Sequence, residues 1–176
     1  TYCEALAEAY RRGAVEARHQ TALINTATLA FDPVLRGGYR ELQPLEPDLV
    51  AARDAILAAD HLVLIFPLWL GTLPAILKGF LERVIQPDVF EPARSGQFVT
   101  PWKGKSVRIV MTMGMPGFIY RWYYGAHALK MLKRNILSFL GAGPIRSTIH
   151  GSVESVSQER RTRWLNGMEA LGRHAK

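Results

Sequence analysis

The sequence holds a single cysteine, Cys3, among its 176 residues. That excludes a disulfide framework and any Cys-x-x-Cys metal or redox pair, and it suits a reducing cytoplasm. Long apolar runs are missing too. The stretch from Leu62 to Leu81 comes nearest, but Pro67, Gly71-Thr72, Pro74 and Lys78 interrupt it. A membrane-spanning helix needs ~20 continuous apolar residues. No signal peptide is visible at Thr1. Acidic residues are few beside the basic ones, 15 against 22, for a formal charge of +7 and a pI near 9.9. Such a balance raises nucleic acid and anionic small molecules as partners. Yet the cations make no dense stripe beyond short groups on two late helices. A solvated basic surface that attracts phosphorylated cofactors, with no nucleic-acid partner, is the reading. His19, His61, His150 and His174 lack ligand spacing, so no metal is expected.

What is present describes an ordinary globule, 48% hydrophobic and 21% charged. Residues 1–176 are expected to form one domain, large enough to bury roughly 70% of the unfolded surface. The most informative run is Phe66 to Val84. An apolar strand over 60–66 meets Pro67, which lacks an amide hydrogen and ends the pairing. A loop with Trp69 and Gly71 follows, and Pro74 opens an amphipathic helix over 74–86. A strand that stops at such a loop before a helix places the loop at the carboxyl edge of a sheet, where open α/β folds bind ligands.

The rest of the chain repeats this grammar. Helices are expected over 2–18, 47–59, 126–140 and 157–174, and strands over 21–26, 106–112 and 144–150. Residues 28–46 read as a loop and 87–104 as a proline- and glycine-rich excursion. The order α-β-α-β-α-β-α-β-α implies parallel βαβ units with right-handed crossovers. One feature is odd: the chain opens on a helix. In a doubly wound sheet of flavodoxin order the first strand is central, and here it would precede Thr1. The expectation is therefore an amino-terminally incomplete domain, unless the 21–26 and 60–66 strands pair directly.

Several runs resemble the flavodoxin-like NAD(P)H:quinone oxidoreductase family, the flavin-dependent quinone reductases and their bacterial relatives. They are Phe66-Pro67-Leu68-Trp69, Pro74-Ala-Ile-Leu-Lys-Gly79 with Glu82-Arg83-Val84, Thr112-Met113-Gly114, and Gly117-Phe-Ile-Tyr120. Thr1-Tyr2-Cys3 looks like the tail of that family's phosphate loop. The resemblance implies an α/β fold with a flavodoxin-like, doubly wound parallel sheet. It implies bound FMN, or FAD, and NAD(P)H as co-substrate, with a quinone-like acceptor and a homodimer. Pro67, Leu68, Trp69 and Leu70 would hold the flavin ring, Thr112, Met113, Gly114 and Met115 would approach its pyrimidine side, and Thr1, Tyr2 and Cys3 would meet the phosphate. Tyr120 matches an active-site tyrosine that also touches the cofactor, and His127, one residue out of step, is the nearest match to a following histidine.

Other readings stand beside these. Trp69 alone reads as a core or interface residue, Thr112-Met113-Gly114 as an ordinary turn, and the 118–124 aromatics as a dimer contact. Cys3 reads as a small helix-start residue. Two rivals to an enzyme are a regulatory subunit that binds a membrane transport partner and a binder of nucleic acid or anionic surfaces driven by the positive charge.

Overall fold

The computed structural model describes residues 1–92 and 98–175. Helices α1 (Tyr2–Glu16) and α2 (Pro47–Ala58) precede strand β1 (His61–Pro67), which is followed by α3 (Ala75–Val84). A two-residue hairpin, β2 (Glu91–Pro92) and β3 (Phe98–Val99), leads to β4 (Ser106–Thr112). Then come α4 (Gly117–Trp122), α5 (His127–Met131), a π-helical continuation over Leu132–Leu137, β5 (Ile145–His150) and α6 (Gln158–Arg173). Residues 93–97 of the expected excursion lie outside the described residues.

Strands β1, β4 and β5 form one parallel sheet in that order. Side chains on a strand alternate between faces, and both faces of this sheet are covered. Val63, Ile65 and Val110 pack with Leu6, Ala9, Tyr10 and Met168 under α1 and α6. Leu64, Phe66, Ile109 and Met111 face the larger core built from α2, α3 and the 127–140 segment. A helix layer on each side of a parallel sheet is the doubly wound α/β arrangement.

Helices α1 and α6 cross so closely that two positions admit only glycine. A Cβ on Gly13 would lie 1.9 Å from the Glu169 carbonyl oxygen, and one on Gly172 would lie 2.1 Å from that of Tyr10. The pair is reciprocal: each helix gives up a side chain so that the other backbone can approach.

Three expectations are corrected. Residues 21–26 form no strand; Asn25 instead organises a turn, its side chain accepting from the Ala27 amide and its carbonyl from the Thr28 amide. A short apolar stretch is able to pair, but pairing needs a neighbouring ladder, which no described residue supplies here. The expected single helix over 126–140 is broken: α5 begins after Ala126, whose φ is +50°, and widens into a π-helix after five residues. Residues 117–122 form a helix of their own, α4, where the sequence pattern shows only an aromatic run.

Candidate functional site

The register brings three strand ends into a row. Pro67 lies beside Thr112 and Thr112 beside His150. The Leu68 amide donates to the Thr112 carbonyl at 2.7 Å, and the Met113 amide to the His150 carbonyl at 3.0 Å. Three turns therefore leave the carboxyl edge of the sheet side by side.

The first turn is tight. Trp69 and Thr72 exchange both backbone hydrogen bonds, at 3.0 and 2.9 Å. Leu70 and Gly71 between them have φ of +45° and +78°, the geometry of a type I′ turn. Glycine adopts that conformation freely, whereas leucine is strained in it. Leu70 is nonetheless fully exposed, and Trp69 is 60% exposed.

The second and third turns lock together. The Ser152 and Val153 amides donate to the Met115 and Met113 carbonyls at 2.9 and 3.2 Å. Gly151 makes this possible, since a Cβ there would stand 2.3 Å from the Gly117 nitrogen. Met113 is buried, while Gly114 is exposed and its Cβ position meets only the Glu154 carboxylate, at 4.0 Å. The top of this turn is open backbone.

Helix α1 starts against the same edge. The Thr1 hydroxyl accepts from the Glu4 amide, and the Cys3 thiol lies 3.4 Å from the Thr112 hydroxyl. Burial pushes the Cys3 thiol pKa up, against the opposing pull of Thr112, so Cys3 has the character of a packing residue and not of a nucleophile.

Next to α1 lies a cluster that the sequence pattern does not reveal. Trp164 on α6 packs 6.3 Å from the Tyr2 ring and 4.5 Å from the His150 ring. The Arg160 guanidinium sits over Trp164 at 5.2 Å, and that of Arg161 lies 6.0 Å from the Tyr2 ring. Arg161 also donates to the Val153 carbonyl at 2.8 Å, tying α6 to the third turn. Tyr2 Oη, His150 Nε2 and Arg161 Nε are buried and make no hydrogen bond among the described residues. Burial holds His150 down to about 4, so it is neutral at physiological pH. In the sequence Arg160 and Arg161 look like part of a solvated basic group, and His150 like a scattered histidine. The available signal was position: His150 ends a strand next to Thr112.

Tyr120 and His127 are placed differently. Tyr120 is in the core, and its hydroxyl accepts from the Leu129 amide at 3.1 Å. Burial raises its pKa, against the lowering effect of that bond. His127 is exposed at the start of α5, with its ring over Gly125. Of the residues expected at the site, the structure thus brings together Cys3, Pro67, Leu68 and Thr112–Met115, with Trp69 and Leu70 on the adjoining turn.

A doubly wound parallel sheet with its loops gathered at the carboxyl edge defines a flavodoxin-like α/β protein. The chain belongs to the family of flavodoxin-like fold, whose model matches residues 1–171. It is 35% identical over 89 residues to an uncharacterized NAD(P)H oxidoreductase of Haemophilus influenzae, a match covering 48% of this chain and 43% of that protein. It is 29% identical over 128 residues to NAD(P)H dehydrogenase [quinone] 1 of Rattus norvegicus, covering 70% of this chain and 46% of that one. The matches thus span less than half the length of either relative. Among solved structures, the NAD(P)H:quinone oxidoreductase from Methanothermobacter marburgensis shares the fold with a TM-score of 0.80, at 21% identity over 100% of this chain and 89% of that one.

Proposed function

We propose that residues 1–176 act as one flavin-binding unit of an NAD(P)H oxidoreductase whose acceptor is a quinone or similar electrophile. FMN is the proposed cofactor, with FAD as the alternative. The observation that carries this reading is the meeting of three strand-end turns and the start of α1 at one sheet edge, joined by the Cys3–Thr112 contact. The names of these two relatives, an NAD(P)H oxidoreductase and an NAD(P)H dehydrogenase [quinone], support it.

The residues fit a flavin. Its ring is flat, apolar on its faces and polar along its edges, so it needs an apolar wall and backbone groups at the rim. The open backbone at Gly114 admits a flat group closely. Trp69, Leu70 and Pro67 offer apolar surface beside it, and the 112–115 backbone offers polar groups. The first amides of α1, at Tyr2 and Cys3, favour a phosphate, because a helix start leaves N–H groups without intrahelical partners. Bound flavin supplies the capacity to accept a hydride and pass on an electron pair. Tyr120, with its lone pair taken up by the Leu129 amide and its pKa raised, keeps its hydroxyl proton at neutral pH and serves as a donor from Oη. His127 is the proposed second proton-handling group, reached from solvent.

The test is consumption of NADH and NADPH by the full-length protein after reconstitution with FMN or FAD, with and without a quinone. Turnover that requires both flavin and quinone is expected. A protein that retains no flavin and consumes no nucleotide overturns the proposal.

A further inference from the structure

From Pro92 to Gln158 the sequence carries nine Lys or Arg residues and a single carboxylate, Glu154. Cations outnumber it, yet Glu154 makes no ion pair with any described residue. Its backbone is held from two sides. The Ser152 and Val153 amides donate to the Met115 and Met113 carbonyls, which fastens the third turn to the second. The Arg161 guanidinium donates to the Val153 carbonyl at 2.8 Å and to the Glu154 carbonyl at 3.4 Å, which fastens the same turn to α6. The Ser155 and Val156 amides close the turn onto the Ser152 carbonyl, at 3.0 and 3.2 Å. Arg161 thus bonds the main chain at Glu154 and leaves the carboxylate unpaired. That side chain is exposed and reaches the second turn. Its Oε1 lies 4.0 Å from the position of a Cβ on Gly114, where no other group comes as near. An unpaired carboxylate therefore borders the open backbone at which a flavin rim is proposed to sit.

We propose that the Glu154 carboxylate accepts a hydrogen bond from the N3–H of the flavin and tunes its reduction potential, an inference that rests on the flavin reading above. The rim of an isoalloxazine carries acceptors at N1, O2, O4 and N5 and one donor, N3–H. An ionised carboxylate can only accept. Against N1 or O2 it is repelled, whereas against N3–H it forms a charge-assisted bond. Glu154 therefore sets which part of the rim meets the Gly114 turn. Its charge has a second effect. Reducing a flavin adds negative charge to the pyrimidine side of the ring, and a fixed negative charge beside that side opposes it. Glu154 thus lowers the potential of the bound cofactor and favours handing the electron pair on to the acceptor.

The experiment titrates the full-length protein with FMN and with FMN methylated at N3, which lacks the donor. It compares the parent, Glu154→Gln and Glu154→Ala. The parent is expected to bind FMN about tenfold more tightly than the methylated form. Glu154→Ala is expected to bind the two alike, with its circular dichroism unchanged. Glu154→Gln keeps an acceptor oxygen and loses the charge, so it should retain part of the preference. The midpoint potential of its bound FMN should rise by about 30 mV, which is a tenfold gain in relative affinity for the reduced form of a two-electron couple. A parent that binds both forms equally overturns the proposal, as does a potential that Glu154→Gln leaves in place. So does weaker binding of both forms by Glu154→Ala with the preference intact, which assigns the carboxylate to the ribityl hydroxyls. A parent that binds neither form overturns the flavin reading itself, an outcome distinct from these.

Discussion

Arg83 is a fully buried cation whose role is structural. Its guanidinium donates to the carbonyls of Asp32 and Pro44 and to the Glu46 carboxylate, so it ties the 28–46 connection to α3. Burial pushes the Glu46 carboxyl up, but the Asp32 amide and Arg83 outweigh it and leave the pKa lowered. Arg83→Leu strands these acceptors and should cost about 3–5 kcal/mol, read as a lower urea midpoint. Leu70 invites the opposite substitution. Its left-handed backbone is strained and its side chain packs on nothing, so Leu70→Asn should stabilise the protein by roughly 1 kcal/mol. If the strained residue is kept for ligand contact, the same variant binds FMN more weakly. His150 gives a pH dependence. Its folded pKa of about 4 lies below the ordinary 6.5, so the unfolded chain binds the extra proton first. Its stabilising contribution is complete above pH ~6.5 and is lost as pH falls toward ~4, by on the order of 3 kcal/mol. His150→Phe should flatten the urea stability curve across that window.

At the scale of elements, β1 and β4 were legible as short apolar runs closed by a proline or a glycine turn, and β5 (Ile-Arg-Ser-Thr-Ile-His) as a β-branched stretch between Pro144 and Gly151; their parallel order follows from the helices between them. The turn after Pro67 was legible for the same reason. Residues 21–26 were not, because a short apolar stretch cannot name a pairing partner. The broken helix over 126–140 shows another limit: Leu132 and Leu137 are both buried, a spacing of five that suits one face of an i→i+5 turn better than of an α-helix, and a reading that expects one regular helix passes over it. The His150–Trp164–Tyr2 cluster stayed hidden because its members lie on three elements that only the fold brings together. So did the α1–α6 crossing, since an isolated glycine in a helical pattern does not disclose a close neighbour. Gly13→Ala or Gly172→Ala must push the two backbones apart, at about 1–3 kcal/mol each. Gly167→Ala is the internal control. It sits on α6 with nothing within 4 Å of its Cβ position and should stabilise by roughly 1 kcal/mol. Thermal melts of the three variants should separate them in that order.

For the whole molecule, a two-faced parallel sheet fixes three turns at one edge, and the start of α1 supplies unpartnered amides beside them. The fold is rigid there because the turns bond to one another as well as to the strands, through Leu68–Thr112, Met113–His150 and Ser152–Met115. On the reading proposed above, this edge holds one flat, anionic, electron-accepting ligand. The most direct measurement is a titration of FMN with the full-length protein, followed by quenching of flavin fluorescence, for the parent and for Gly114→Val. Saturable quenching by the parent, weakened at least about tenfold by a side chain on the open turn, is the expected result. Unchanged affinity in Gly114→Val, or no quenching by the parent, would contradict a flavin site at this edge.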